Sequence, residues 1–192
     1  ASAHANLCWP EAIRVEGARP WSPINIESDA IANARHELGD ADFSCAAWVK
    51  ATTPGGVWVS KQNDNEIWEN NEKKFYISGG FPNGNSPAGA VAAVGHNVAW
   101  ISSTGPLVDD GRWHHIVVTF QRDLVGNDDP GTIYVDGEEV PEYGKQDYKG
   151  TADNPSNTFY IDRTPGDDAT VNFDGLLDDV AVFDIALTPE QV

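Results

Sequence analysis

The sequence predicts an all-β fold in which two antiparallel sheets pack face to face. Short runs rich in Val, Ile, Phe, Tyr and Trp recur along the 192 residues, and 18 glycines and 12 prolines separate these runs. Helical periodicity is weak, and many short strands with few helices are typical of a sandwich. We expect one domain over residues 1–192, because all-β sandwiches often reach this length as single units.

Eight strands are predicted from the runs of β-branched and aromatic residues. They are Phe43–Lys50, Val57–Lys61, Lys74–Ser78, Val98–Ser102, His114–Gln121, Thr132–Val135, Thr158–Asp162 and Leu176–Phe183. The Gly-, Pro- and Asn-rich segments 79–97 and 141–157 are predicted to be long loops. Weak helical spacing is present at Asp29–Leu38, and Thr188 followed by Pro189 predicts a capped turn at the C-terminal end.

One hairpin is predicted from a two-residue turn. Asp136 and Gly137 lie between extended runs in TIYVDGEEV. Asp-Gly is a strong hairpin signal because both turn positions require positive φ. The preceding strand, which ends near Gln121, should pair antiparallel with the strand that starts at Thr132.

The charge of the chain limits its partners. Thirty acidic residues against twelve basic ones give a net charge of −18. Such a surface repels nucleic-acid phosphates and anionic lipids, so we expect neither as a partner. No run of eighteen apolar residues is present, so we expect no membrane insertion. The acidity favours cation binding or is a solubility trait alone.

Two adjacent histidines in DGRWHHIVVTF raise the question of a metal site or a catalytic base. On a strand, His114 and His115 point to opposite faces, so they cannot ligate one ion together. We therefore predict that they are structural, with hydrogen-bonded partners near the start of a strand.

Four sequence blocks resemble laminin-G-like, concanavalin A-like jelly-roll domains. The blocks are DADFSCAAWVK with GVWVSK, then DGRWHHIVVTF, then GTIYVDGEEV, and finally FDGLLDDVAVFDIALTPEQV. The resemblance implies a two-sheet antiparallel jelly-roll β-sandwich that binds a glycan or polysaccharide, or a protein, usually without catalysis. Similar domains are appended to secreted bacterial polysaccharide-degrading enzymes and to large surface adhesins. An extracellular, secreted or cell-surface, monomeric module of a larger protein is therefore expected.

The resemblance also implies a structural calcium ion. The family has an acidic pair at the start of its closing strand, where this chain has Asp178 and Asp179. Strict alternation would put Asp178 on the inner face with Val180 and Val182, where an unpaired carboxylate is costly. The predicted calcium ligands are Asp178, Asp179, Asp42 and Asp40. The alternative is an aspartate that accepts hydrogen bonds from turn amides.

A sugar-binding surface should use aromatic side chains that stack on pyranose rings, with polar groups for the hydroxyls. Trp48 and Trp113 stand in the core strands and are predicted to be packing residues. The candidate ligand-binding residues are Trp58, Trp68, Trp100, Asn63 and Asp64. The alternative is that these tryptophans cover the edges of the core.

One segment resembles a catalytic motif but departs from it at the middle position, and this departure disfavours a catalytic role. In jelly-roll glycoside hydrolases, three alternating acidic residues face one cleft, but EIWENNE has Trp68 at the middle position. We expect a non-catalytic, lectin-like module. The alternatives are a protein-interaction or structural module of an adhesin, and a lyase or hydrolase that uses Glu66 or Glu69.

The two cysteines, Cys8 and Cys45, are too far apart in sequence for a CxxC motif. In a secreted setting they could form one disulfide that ties the N-terminal segment to the first core strand. The alternative is two buried free thiols.

Overall fold

A computed structural model describes residues 42–62, 72–79, 86–95, 99–121, 131–147, 158–161 and 173–192. Within these residues the backbone forms eleven strands and no helix. The strands are β1 Phe43–Ala51, β2 Val57–Gln62, β3 Lys73–Ile77, β4 Val91–Gly95, β5 Ala99–Ser103, β6 His114–Phe120, β7 Gly131–Val135, β8 Glu138–Glu139, β9 Glu142–Asp147, β10 Thr158–Ile161 and β11 Gly175–Phe183. No helix in the described part is long and apolar enough to cross a bilayer.

The strands form two antiparallel sheets. One sheet has five strands in the order β11-β1-β6-β7-β8, and the other has six in the order β10-β2-β3-β4-β5-β9. Strands distant in sequence lie side by side, as β1 does with both β6 and β11. The predicted jelly-roll sandwich is confirmed.

The core lies between the two sheets. Buried side chains of the five-stranded sheet, such as Val49 and Ile116, pack with Val59 and Ile101 of the six-stranded sheet in one cluster. Burying such side chains supplies most of the favourable free energy of folding.

Aromatic rings join the two sheets within this core. The Phe43 and Phe120 rings of the five-stranded sheet stack with centroids 4.9 Å apart. Phe75 of the six-stranded sheet meets these rings edge-on at centroid distances of 6.4 and 6.3 Å. Edge-to-face contacts of this kind add about 0.5–1.5 kcal/mol beyond the buried area.

The Asp136-Gly137 turn is confirmed. Both residues have positive φ, 55° for Asp136 and 84° for Gly137. Val135 pairs with Glu138 across the turn, and β6 pairs antiparallel with β7 as predicted. The connection between these two strands, residues 122–130, lies outside the described residues.

Each of the eight predicted strands overlaps a strand of the structure, and β8 is the second strand of the predicted Asp136-Gly137 hairpin, but β4 and β9 were not predicted. β4 and β9 lie in segments predicted as loops, and β8 has only two residues. Alanine and glycine dominate β4, and both have low strand propensity. Its small side chains fit because β4 is an interior strand between β3 and β5.

The C-terminal segment, residues 184–192, covers one half of the outward face of the five-stranded sheet. Leu187 is buried against Ala46, Val117 and Tyr134, with Val192 packed alongside. The Ser44 hydroxyl anchors the segment, donating to the Ile185 carbonyl and accepting from the Leu187 amide, both at 2.9 Å.

This segment ends in the predicted capped turn. The Thr188 amide donates to the Gln191 side-chain oxygen at 2.9 Å, and the Gln191 amide donates back to the Thr188 carbonyl at 2.9 Å. The reach of Gln191 to the Thr188 amide is half of a capping box. The turn therefore holds Leu187 in place on the sheet.

Candidate functional site

Trp58 is a core residue and does not form a ligand surface. The indole is fully buried and packs on Phe75 with ring centroids 5.6 Å apart. The prediction assumed that the side chains of Val57, Trp58 and Val59 point to alternate faces. In the structure, Val57 and Val59 pair with the adjacent residues Tyr76 and Phe75 of β3, so Trp58 is an extra residue of β2 at a shift of register. The bulge turns the indole inward, since it puts Trp58 and Val59 into the same buried cluster.

Trp100 is half-buried on the outward side of the six-stranded sheet. It lies between Val94 and Gln146 in the strand register, while its neighbour Ile101 is in the core. The ring lies so close to Gly144 that a Cβ there would fall 2.7 Å from it. Trp100 thus covers the backbone of β9. The other candidates, Trp68, Asn63 and Asp64, lie outside the described residues.

The predicted calcium ligands do not converge in the described structure. Asp178 lies opposite Trp48 of β1, and Asp42 precedes Trp48 by six residues. At the usual rise per residue of a strand, Asp178 and Asp42 are therefore about 20 Å apart. Asp40 lies outside the described residues. Within the described ranges, no group of three or more His, Cys, Asp or Glu side chains could hold a metal ion.

Asp178 also faces away from the core, contrary to the predicted alternation. Two residues of β11, Asp179 and Val180, lie opposite the single residue Ala47 of β1, which is a β-bulge. Asp179 has a φ of 47°, and its amide donates to the Asp178 carboxylate at 2.9 Å. The bulge lets Val180 and Leu177 both point inward while Asp178 points outward.

Cys45 is a free, fully buried thiol on the inner side of β1. The predicted disulfide to Cys8 is not seen, and Cys8 lies outside the described residues. Burial raises the pKa of the Cys45 thiol, so it stays protonated.

The His114 side chain has hydrogen-bonded partners near the start of β6, as predicted. The His114 ring lies between two carboxylates, with Nδ1 2.8 Å from Asp136 Oδ2 and Nε2 3.1 Å from Asp110 Oδ1. The other oxygen of Asp136 accepts the His115 amide at 2.9 Å. The turn residue Asp136 therefore fastens the start of β6.

The two carboxylates make the fold pH-dependent through His114. Burial alone would lower its pKa, but the hydrogen bonds and charges of Asp136 and Asp110 together raise it above its ordinary value. A raised pKa in the folded state contributes stability below the unfolded value, near 6.5, that is lost as pH rises through the folded value. We expect the free energy of unfolding to fall as the pH rises above about 6.5, and His114→Gln to flatten this slope.

Urea denaturation at several pH values measures this effect, and His115→Gln is the matched control. Burial lowers the pKa of His115, against the opposing charges of Asp136 and Asp179. Its contribution therefore has the opposite sign and is lost below about pH 6.5. A slope above pH 6.5 that survives in His114→Gln would contradict the assignment.

An uncovered aromatic patch lies on the outward face of the five-stranded sheet, beside the half that the C-terminal segment covers. Trp48 and Trp113 are 40% and 42% exposed, and Leu176 is 37% exposed. Tryptophan is largely buried in most proteins, so two exposed indoles on one sheet face are unusual. We call the following residues the Trp48–Trp113 patch: Trp48, Lys50, Trp113, His115, Leu176 and Asp178.

The strand register sets these residues in two rows. In the first row Trp48 lies between Asp178 on β11 and His115 on β6. The Trp48 and His115 rings touch, with centroids 5.2 Å apart and planes tilted by 39°.

The second row lies one step along the same face. Lys50 pairs with Leu176, and continuing the β1–β6 register by one residue places Trp113 on its other side. Trp113 is diagonal to Trp48, a position about 7–8 Å away and within reach of aromatic side chains. The two rows thus form one surface on which the two indoles and Leu176 lie next to polar and charged side chains.

The polar groups of the patch are suited to hydrogen bonding. His115 is half-buried, and its lowered pKa keeps the imidazole neutral at pH 7, with one donor and one acceptor nitrogen. Asp178 adds carboxylate oxygens next to Trp48. The sequence predicted Trp48 and Trp113 to be packing residues, but both are exposed, because the outward face of the sheet is not covered at this end by the described part of the chain.

A profile for the concanavalin A-like lectin/glucanases superfamily matches residues 25–192. The chain belongs to this superfamily. Comparison with curated protein sequences gives no match.

Solved structures of similar fold include a carbohydrate-binding module of a sialidase and a pair of laminin domains. The CBM40 domain of Ruminococcus gnavus IT-sialidase, bound to α2,6-sialyllactose, aligns over 94% of both chains with a TM-score of 0.63 and 10% identity. Domains LG4-5 of the mouse laminin α1 chain align over 80% of this chain and 41% of theirs, with a TM-score of 0.50 and 12% identity.

A Bacteroides ovatus protein with a proposed carbohydrate-binding role aligns over 80% of this chain at 21% identity, with a TM-score of 0.55. The alignment spans only 40% of the Bacteroides ovatus protein. At these identities the likeness shows the fold, which is that of carbohydrate-binding modules.

Proposed function

We propose that this chain is a non-catalytic, extracellular carbohydrate-binding domain whose ligand site is the Trp48–Trp113 patch. The observation that carries the proposal is the pair of half-exposed indoles on one sheet face, next to the neutral His115 and the Asp178 carboxylate. The fold, shared with carbohydrate-binding modules, supports the same conclusion.

Sugars match both parts of this surface. A pyranose ring has apolar CH faces that stack on indoles, and its hydroxyl groups need donors and acceptors at the rim. Trp48 and Trp113 supply the first, and His115 and Asp178 supply the second. An exposed aromatic patch of this kind indicates a binding surface, because uncovered indole area is costly in water.

Binding to a panel of soluble polysaccharides and oligosaccharides tests the proposal. We expect a ligand from the panel to protect tryptophan fluorescence from quenching by acrylamide, because stacking covers Trp48 and Trp113. Affinity electrophoresis gives an independent measure of binding. A folded protein that binds no member of a broad panel would count against a glycan-binding function and favour a protein-interaction or structural module.

Calcium remains a prediction with less support. The described carboxylates do not form a site, so any calcium would need ligands such as Asp40 from outside the described residues. A ligand that binds only the folded state raises its melting temperature. If calcium is structural, a chelator should lower the melting temperature of the wild-type protein. Asp178→Asn should remove this response to the chelator. An unchanged melting curve of the wild type would show that calcium does not stabilise the fold.

A further inference from the structure

We propose that the Trp48–Trp113 patch selects uncharged glycans and rejects carboxylated ones. This inference rests on the proposed function and adds the chemical class of the ligand. It is carried by the charges that surround the two indoles.

Carboxylates border the patch at the bulge of β11. Asp178 lies directly across from Trp48, and Asp179 follows it, with both side chains partly exposed. The charge of Asp179 reaches His115, on the other side of Trp48. An anionic sugar stacked on Trp48 would therefore lie within one Debye length, about 8 Å at physiological salt, of these negative charges.

The nearby cations offset these charges only in part. Arg112 is 82% exposed, and its Nε lies 3.7 Å from Asp110 Oδ2, so its charge is already shared with a carboxylate. His115 contributes no positive charge near pH 7, since burial favours its neutral form. Lys50, beside Leu176 in the second row, is one cation against the two carboxylates Asp178 and Asp179. The net charge of −18 on the whole chain adds to this local excess of negative charge.

Asp178 is also arranged to bind hydroxyl groups. Its Oδ1 accepts the Asp179 amide at 2.9 Å, which orients the carboxylate beside Trp48. Its other oxygen accepts no hydrogen bond within the described part of the chain and can take a sugar O–H. A carboxylate accepts only, so it pairs with a neutral sugar's hydroxyl and repels another carboxylate.

Matched neutral and carboxylated glycans test the inference. The probes are lactose with 3′-sialyllactose, and fully methyl-esterified pectin with the same pectin after de-esterification, presented alongside the neutral panel. At about 0.15 M ionic strength we expect any carboxylated member to bind at least about tenfold more weakly than the neutral ligands. Raising the salt concentration to about 0.5 M should narrow this gap, because screening weakens the repulsion.

Charge-neutralising variants provide the control. Asp178→Asn keeps the side-chain shape and removes one charge at the patch, so it should strengthen binding of the carboxylated probes severalfold relative to wild type. Asp184→Asn changes the net charge equally, but Asp184 is an exposed residue of the C-terminal segment, off the patch. It should leave the preference unchanged.

The outcomes separate the inference from the function on which it rests. Preferential binding of the carboxylated probes, or equal effects of Asp178→Asn and Asp184→Asn, would overturn the selectivity while leaving glycan binding intact. Absence of binding to every glycan, neutral or charged, would overturn the function and the inference together.

Discussion

Replacing Trp48 with alanine should weaken glycan binding by about 10- to 100-fold. Trp48 is the central side chain of the patch, between Asp178 and His115, and its ring contacts the imidazole. Removing a central aromatic anchor typically costs about 1.4–2.8 kcal/mol of binding free energy. Isothermal titration with the best ligand of the panel measures the loss. A thermal melt should show that the variant stays folded, because Trp48 is 40% exposed.

Trp100→Ala is the matched control for this prediction. Trp100 is a half-buried tryptophan on the outward side of the other sheet, where it covers Gly144. Its replacement should leave the affinity unchanged within about twofold of wild type. If Trp100→Ala abolishes binding and Trp48→Ala does not, the ligand site lies on the six-stranded sheet and our assignment is wrong.

Replacing Trp58 with alanine should strongly destabilise the fold. The indole is fully buried between the sheets, against Phe75. Truncating a buried tryptophan leaves a cavity and costs about 3–5 kcal/mol, which lowers the melting temperature of a domain this size by roughly 6–20 °C. Calorimetry or a circular-dichroism melt measures the change.

Trp58→Phe separates the packing of the ring from its polar group. The indole Nε1 is buried and has no hydrogen-bond partner among the described residues. Burying an unpaired donor costs about 1–3 kcal/mol, and phenylalanine has no such donor. We expect the phenylalanine variant to lose much less stability than the alanine variant. Equal losses would show that the indole N–H has a partner and that Trp58 is held by more than packing.

The fold could be predicted from the sequence because its strands carry local signals. β-branched and aromatic runs marked strands such as β1 and β6, and the Asp136-Gly137 turn fixed one hairpin through its backbone conformation. β4 could not be predicted because its alanines and glycine have little strand propensity of their own. It is a strand because β3 and β5 flank it.

The site was harder to predict, since exposure depends on what covers each face. Alternation groups Trp113 with His115, but only the structure shows that the C-terminal segment stops short of them. The two β-bulges reverse the side-chain directions that alternation predicts for Trp58 and Asp178. They turn Trp58 inward and Asp178 outward, and a pattern with period two cannot anticipate an inserted residue.

The burial of Cys45 makes that residue an internal reporter of unfolding. Its thiol has no contact with solvent and its raised pKa suppresses the reactive thiolate, so an alkylating reagent can reach it only when the two sheets separate. In a Cys8→Ser background, the labelling rate would measure how often the sandwich opens as a whole. The rate of Cys45 labelling would therefore report global opening of the sandwich. A glycan that stabilises the folded state should lower this rate.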